Sequence, residues 1–378
     1  MKTILIAPNS FKNCINSDDA ADTIKRYLFK NNPHFISKFN ILKRPISDGG
    51  DGFLKICDYY YNLKIRNYTV KYLDDKYHNV PVGIDITNRT AYIETAKLLG
   101  YNSISDVKKH GLNPYTYSSL PLGQLLFQIN EDNKKYNQID KVVIGIGGTI
   151  TSDLGLGMML IFGLKLKRGN LCVIPKPSKY MYADTIEYKK PILSYNIEFV
   201  TDVTNMLLGE TGANYCFGEQ KGIKRKHLQI FEIGFKNIIR LLKIKDVDNY
   251  SGAGGGVAFG LQFFFDAKKI TASEFILERL ELKNINPDYI ITGEGSFDKQ
   301  SLLNKGTKIL IDYGLKKRSK KIFVISGKHS MVKDESFIIY NMQDYFKSIE
   351  ESKKFVKKGF KVIIDKISTE IIKEYNGK

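Results

Sequence analysis

The stretch Thr3-Ile4-Leu5-Ile6-Ala7-Pro8-Asn9-Ser10-Phe11-Lys12 decides the fold class. Its apolar residues run without alternation and stop at Pro8, which reads as a strand buried on both faces and ended by a polar loop. Ser17 to Lys30 follows with helical spacing, opened by Ser17-Asp18-Asp19, then Phe39 to Pro45 reads as a second strand and Asp51 to Tyr61 as a second helix. The same rhythm returns near the other end, where Tyr289-Ile290-Ile291-Thr292 and Ile322-Phe323-Val324-Ile325 are buried strands flanking a helix around Lys305 to Tyr313. Both ends therefore read as halves of one parallel sheet, in an α/β domain made of residues 1–64 and 286–378. Between them, Val70 to Thr95 alternates polar and apolar residues and suits antiparallel hairpins. Lys141 to Ile146 and Asn196 to Thr201 are again strand-like, each followed by a glycine-rich loop. Residues 65–285 are expected to form an inserted domain of mixed α/β type.

Composition narrows the class further. The 378 residues carry 58 Lys plus Arg against 40 Asp plus Glu, a formal charge of +18, and 43% of them are hydrophobic. That is too apolar for a disordered chain, and too long for one small binding module at roughly 100 to 200 residues per domain. No apolar run reaches the roughly 18 residues that span a bilayer; Val257 to Phe265 is interrupted by Gln262 and ends at Asp266. The first residues lack the longer apolar stretch of a signal peptide. Cys14, Cys57, Cys172 and Cys216 form no CxxC pair, as expected of reduced thiols in a cytoplasmic protein. The five His residues form no HxH or HExxH group, so neither zinc nor a His-based triad is indicated. The positive charge invites a nucleic-acid reading through Lys316-Lys317-Arg318-Ser319-Lys320-Lys321 and Lys224-Arg225-Lys226, but only nine of the basic residues are Arg, the side chain that base readout favours. A solvated Lys-rich surface is the expectation.

Six segments place Gly beside hydroxyl, acidic or basic residues, each read as following a strand, and ligands bind at the carboxyl ends of strands in open sheets. Asn9-Ser10-Phe11-Lys12 offers a hydroxyl and an ammonium for an anion. Ser47-Asp48-Gly49-Gly50-Asp51-Gly52 is an acidic turn opening a helix, where close backbone approach and free N–H groups would suit an anion and Asp48 would bond a hydroxyl or take its proton. Gly145-Ile146-Gly147-Gly148-Thr149-Ile150-Thr151-Ser152-Asp153 is a nest of donors for phosphate oxygens, yet matches neither GxGxxG nor a Walker loop. Thr201-Asp202-Val203-Thr204-Asn205 leads through Gly209 and Gly212 to Phe217-Gly218-Glu219-Gln220-Lys221-Gly222. Ser251-Gly252-Ala253-Gly254-Gly255-Gly256 is a further donor loop before a helix. Gly293-Glu294-Gly295-Ser296-Phe297-Asp298 sets two carboxylates four residues apart on a glycine-kinked turn, able to offer oxygen ligands to a hard cation. Anion cradles with carboxylates, and no His, Cys or redox motif, fit phosphoryl transfer, which needs positioning, positive charge, Mg²⁺ on carboxylates and a base for the attacking hydroxyl.

In this order the segments resemble the bacterial glycerate kinase family, which shows patterns like APDSFKGS, ADGGEGT, IGIGGSATNDGGAGM, DVTNPLLG with FGPQKG, GAGAAGGLG and ITGEGxxDxQSxxGK. They stand here at Ala7 to Lys12, Ser47 to Gly52, Ile144 to Met158, Asp202 to Gly222, Gly252 to Gly260 and Ile291 to Gly306, so the resemblance runs from end to end. It implies a discontinuous Rossmann-like domain with a mixed α/β insert, and ATP-dependent phosphorylation of D-glycerate to 2-phosphoglycerate with Mg²⁺. Ser10, Phe11, Lys12 and Asp48 would then bind glycerate, with Lys12 pairing its carboxylate. Gly147, Gly148, Thr149 and Thr151 would hold the triphosphate, with Gly254 and Gly255 as a second cradle. Asp202 or Glu294 would hold Mg²⁺, and Asp48, Asp202 or Asp298 would be the base. Lys221 and Lys305 could neutralise phosphate charge, but in so Lys-rich a chain each is expected at the surface. The implied partners are glycerate and ATP, with no nucleic acid and no membrane. Departures are Asn9 for Asp, Ser152 for Asn, Leu154 for Gly, Met206 for Pro and Asn304 for Gly. Asn9 and Leu154 prompt a second reading, a kinase of another small hydroxy acid; the charge of +18 prompts a third, a basic nucleic-acid-binding protein.

Overall fold

The computed structural model describes residues 1–12, 14–31, 35–72, 75–101, 113–203, 205–298, 301–302, 305–328, 330, 332 and 334–377. In chain order the strands are β1 (Lys2–Ile6), β2 (Phe39–Lys43), β3 (Lys64–Lys71), β4 (Tyr77–Asp85), β5 (Thr90–Glu94), β6 (Lys141–Gly145), β7 (Lys165–Arg168), β8 (Leu171–Val173), β9 (Thr185–Glu187), β10 (Asn196–Thr201), β11 (Lys268–Thr271), β12 (Tyr289–Glu294), β13 (Lys321–Ser326) and β14 (Ile338–Asn341). The chain divides into two compact units, Met1–Asp48 with Thr271–Lys378, and Gly49–Ile270. The sequence alone places these boundaries at 64 and 286. The helix Phe53–Tyr61 falls in the second unit, because Leu54 and Phe53 pack on Gly83 of β4 and Gly145 of β6.

The first unit holds one five-stranded sheet, ordered β14-β13-β12-β1-β2, in which every pair is parallel. The two chain ends interleave here: Ile6 is level with Ile291 of β12 on one side and Lys43 of β2 on the other. Side chains of period two explain why these strands read as continuous apolar runs. Ile4, Ile6, Ile291, Phe323 and Ile325 face the helices Ser17–Asn31 and Val356–Tyr375, meeting Ile24, Leu28, Phe360, Ile364 and Ile367. Ile290 and Ile322 point the other way onto the helix Gly306–Lys316, where Gly314 lets the helix lie close.

The second unit is mixed, as the alternation of residues 70–95 implied. Its six-stranded sheet runs β11-β10-β6-β5-β4-β3; β10, β6 and β5 are parallel neighbours, whereas β5, β4 and β3 form antiparallel pairs. The helices Leu120–Tyr136 and Val257–Phe265 supply Leu122, Leu125, Leu126, Ile129, Val257 and Leu261 to its core. A small antiparallel sheet, β8-β7-β9, adds Leu166 to a separate cluster that includes Leu154, Phe235 and Phe259.

Candidate active site

The first unit gathers its polar residues at the carboxyl ends of β1, β2 and β12. Asn9 follows β1, its N–H donating to the Gly293 carbonyl of β12 at 2.8 Å. Its side-chain amide donates to Asp48 Oδ2 at 2.7 Å, and its Oδ1 accepts the Ser10 N–H at 2.8 Å. A Cβ at Gly306, the first residue of the helix Gly306–Lys316, would lie 3.1 Å from that amide nitrogen, so the helix start abuts the Asn9–Asp48 pair. Glu294 ends β12 as a buried carboxyl, and its Oε1 has no hydrogen-bond partner among the described residues. Burial pushes the Glu294 carboxyl up to about 7, with Lys305 opposing the rise and the charges of Asp48 and Asp298 adding to it. Asp298 is exposed and closes a turn, its Oδ1 accepting the Ser301 N–H at 3.1 Å. Lys12 is exposed and Ser10 half-buried. The Phe11 ring is buried, 5.2 Å from that of Phe360, so its side chain packs in the core.

In the second unit β5, β6 and β10 end side by side, Glu94 level with Gly145 and Gly145 with Val200. Gly147 and Gly148 follow β6, and Asp202, half-buried, follows β10. The turn Gly49–Gly52 is packed against them, since a Cβ at Gly49 would sit 2.6 Å from the Val200 carbonyl oxygen and one at Gly147 2.6 Å from the Gly50 Cα. Gly49 and Gly50 are thus explained by backbone packing within the protein. The helix start at residue 52 is not open to an anion either: the Gly52 and Leu54 N–H groups donate to Glu94 at 3.1 and 3.0 Å, so that carboxylate already occupies the positive end.

Beyond Gly148 the loop turns inward. Thr149, Thr151, Ser152 and Asp153 are buried, and the Thr151 hydroxyl has no partner among the described residues. Asp153 organises the turn by accepting from Ser119 N–H and hydroxyl at 2.6 and 2.8 Å, Gly155 N–H at 3.1 Å and Gly157 N–H at 3.2 Å. The segment at Gly252 follows a helix and loop, not a strand as expected, and is held by Asn205, whose carbonyl accepts the Gly252 N–H at 3.0 Å. Gly254, Gly255 and Gly256 are all left-handed, at φ of 67°, 70° and 88°, a run open to glycine alone. A Cβ at Gly255 would lie 2.1 Å from the Thr151 carbonyl oxygen, and one at Gly256 2.6 Å from the Leu154 Cα, so the third and fifth segments lie backbone against backbone.

The sequence profile of the glycerate kinase family matches residues 4–369. The chain belongs to the glycerate kinase family. It is similar to the glycerate kinase of Halalkalibacterium halodurans, 29% identical over 86% of each chain. The glycerate 2-kinase of Escherichia coli is 29% identical over 86% of this chain and 84% of its own. A crystal structure named for glycerate kinase 2 of Salmonella typhimurium LT2 superposes with a TM-score of 0.74 over 99% of both chains, at 23% identity, and shows the same fold.

Set on this glycerate kinase fold, the candidate residues fall into two groups. Ser10, Lys12, Asp48, Glu294 and Asp298 belong to the first unit; Gly147, Gly148, Thr149, Thr151, Asp202, Gly254 and Gly255 belong to the second. Asn304 lies outside the described residues. Lys305 is half-buried, and Lys221 overturns its expected surface place: it is buried, with Nζ donating to the Thr151 carbonyl at 2.6 Å. Sequence reasoning missed Glu94, Asp153 and Glu232. Glu232 is buried and accepts the Gly209 N–H at 2.8 Å and the Asn214 amide at 3.3 Å, while Asn214 Oδ1 accepts the Ser152 hydroxyl at 2.9 Å. Ser152, where the family pattern has Asn, thus makes a buried side-chain hydrogen bond.

Proposed function

We propose that this enzyme phosphorylates D-glycerate with ATP, yielding 2-phosphoglycerate and ADP. The observation that carries this reading is the placement of the motifs: five of the six emerge at the carboxyl ends of parallel strands, and the remaining one packs on the glycine loop after β6. In the transfer, the 2-hydroxyl oxygen bonds to the γ-phosphorus as the bond to the ADP oxygen breaks, and the hydroxyl proton passes to a carboxylate. Asp48 is the acid we assign as that base in preference to Asp202 or Asp298. Asn9 holds its Oδ2, which orients the carboxylate, whereas Asp298 spends one oxygen on Ser301. Lys12 and Ser10, on the same loop, suit glycerate's carboxylate and hydroxyl. The exposed Gly148 and the Gly254-Gly255 run suit the phosphates, with Thr149 and Thr151 shaping the loop from within.

Mg²⁺ fits the acids present. Mg²⁺ keeps several waters and is bound through one or two carboxylates together with substrate phosphates. The buried Oε1 of Glu294, which has no hydrogen-bond partner among the described residues, is the ligand oxygen we favour, with Asp202 the alternative. Bound there, the ion would neutralise charge developing on the phosphates.

The test is ³¹P NMR of the purified protein with ATP, Mg²⁺ and D-glycerate. A 2-phosphoglycerate resonance with matching ADP supports the reading; a 3-phosphoglycerate resonance corrects the position, and no new resonance from folded protein removes it. A second reading, another small hydroxy acid as acceptor, rests on Asn9, which places an amide where the family has a carboxylate. A panel of hydroxy acids decides it, strong preference for glycerate being the result against it.

A further inference from the structure

Lys221 is the one buried Lys among the described residues, and its surroundings are unusual for an ammonium. It lies in the segment Glu219–Lys221, a single 3₁₀ turn ended by Gly222 at φ 90°, and its side chain runs inward beneath the two glycine loops. Nζ donates to the Thr151 carbonyl at 2.6 Å, and a Cβ at Gly255 would fall 2.5 Å from Nζ and 2.1 Å from that same oxygen. Nζ, the Thr151 carbonyl and Gly255 are therefore in mutual contact. Gly255 returns a bond of its own, its carbonyl accepting the Leu154 N–H at 3.2 Å. One ammonium thus sits where the loop after β6 crosses the loop before the helix Val257–Phe265.

No carboxylate among the described residues pairs with this ammonium. The acid that bears on it is Asp153, whose two oxygens are taken by Ser119, Gly155 and Gly157, and the 252–256 loop brings no ionisable side chain. A buried charge without a partner is costly, and persists where the fold or a ligand supplies a reason. The hydroxyl of Thr151, the residue whose carbonyl Nζ bonds, is also buried and has no hydrogen-bond partner among the described residues. Burial draws the Lys221 ammonium down to about 7, against the opposing pull of Asp153.

We propose that Lys221 is a positioning residue for the phosphate-bearing cosubstrate: it pins the Thr151 carbonyl at the crossing of the two glycine loops and supplies, from beneath them, a positive charge that only a bound polyphosphate compensates. This rests on the reading of those loops as the ATP cradle. Its role differs from that of the exposed lysines, whose charge is solvated and screened. It also couples binding to protonation. An anion above the loops favours the charged form, so at pH 8, where the free protein holds Lys221 largely neutral, nucleotide binding draws in a proton.

The experiment compares wild type with Lys221→Met and Lys221→Arg. Steady-state kinetics yield separate KM values for ATP and glycerate, and calorimetric titration with ATP at pH 8 in two buffers of different ionisation enthalpy yields proton uptake. We expect Lys221→Met to raise the ATP KM roughly ten- to hundred-fold, the scale of a lost charge-assisted hydrogen bond, with the glycerate KM changed less than about two-fold. Wild type should take up a substantial fraction of one proton more than Lys221→Met. Lys221→Arg, whose guanidinium stays charged, should bind ATP more tightly than Lys221→Met and show no such uptake. An unaltered ATP KM in Lys221→Met, or equal uptake by wild type and Lys221→Arg, overturns the proposal, the latter comparison deciding it even if Lys221→Met fails to fold. A wild type that binds no ATP removes the kinase reading and this inference together, whereas active wild type with unchanged variants removes this inference alone.

Discussion

The side-chain amide of Asn9 donates to Asp48 Oδ2 at 2.7 Å while its own oxygen accepts the Ser10 N–H. That second bond fixes which end of the amide faces Asp48, so the contact is a donor meeting a carboxylate. The pattern of the family puts Asp at this position, which would set two carboxylates against each other. Asn9→Asp is therefore expected to raise the pH at which the pair gives up its last proton, because like charges at this range do not both ionise readily. If Asp48 is the base, the acidic limb of the kcat/KM profile moves to higher pH by about one unit or more. A profile that superposes on wild type would show that Asp48 does not act in the rate-limiting proton transfer.

Glu294 makes stability depend on pH in a direction opposite to that of most carboxylates. Its folded value, about 7, stands above the ordinary value of 4.5, so the folded state holds the proton more tightly than the unfolded chain. Below about pH 4.5 both states are protonated and the carboxyl costs nothing. As pH rises toward 7 the unfolded chain ionises first, and stability is lost until the folded carboxyl also ionises. The full loss is on the order of 3 kcal/mol for a shift of this size. Glu294→Gln, measured by chemical denaturation in metal-free buffer, should gain on wild type progressively between pH 5 and pH 7.5 and then run parallel to it. A gap that does not change with pH would mean that the carboxyl is not the titrating group. The same variant should lose most activity if Glu294 holds the metal.

Much of this arrangement was open to reading from the chain, for reasons visible in particular residues. Ile4 to Ala7 and Tyr289 to Thr292 announce buried parallel strands because nothing polar interrupts them, and Gly147 and Glu294 stand out as a glycine and an acid where apolar runs end. What stayed hidden depends on contacts distant along the chain. Glu94 meets the N–H of Gly52 from 42 residues away, and no local pattern marks it as the cap of that helix. Lys221 reaches Thr151 across 70 residues. Among 49 lysines, nothing in its own segment separates it from the solvated ones. Phe11 lies inside a polar motif, and only the position of Phe360 shows that its ring faces the core.

Leu154 offers a test in which glycine should outperform alanine. Its φ is +56°, in the region that favours glycine, yet its side chain is fully buried and packs in the cluster with Phe259 and Phe235. The left-handed backbone costs roughly 1–2 kcal/mol, which burial of a Leu side chain, worth roughly 1.5–3 kcal/mol, offsets. Leu154→Ala loses the burial and keeps the strain, so about 2–4 kcal/mol of stability should go. Leu154→Gly loses the same burial but relieves the strain, and should be the more stable of the two by about 1 kcal/mol. Denaturant titration ranks them; alanine above glycine would show that the left-handed turn is not retained in solution.

Asp153 should be the acid whose conservative replacement does most harm without touching a ligand. One of its oxygens accepts three donors, from Ser119 N–H and hydroxyl and from Gly157 N–H, and the other accepts the Gly155 N–H. Asparagine offers one oxygen and one NH₂ group, so in either orientation a donor is turned toward a donor inside the fold. Each buried polar group left unsatisfied costs about 1–3 kcal/mol, and Asp153→Asn should accordingly unfold at markedly lower denaturant than wild type. The loss is expected to reach the second unit's glycine loop first, because Gly155 and Gly157 anchor the turn into the helix Leu156–Met159. Hydrogen exchange should therefore show faster exchange at residues 147–159 in the variant at a denaturant concentration where the β6 and β10 amides remain protected. Uniformly faster exchange through the whole unit would instead mean that the carboxylate supports the global fold rather than the loop.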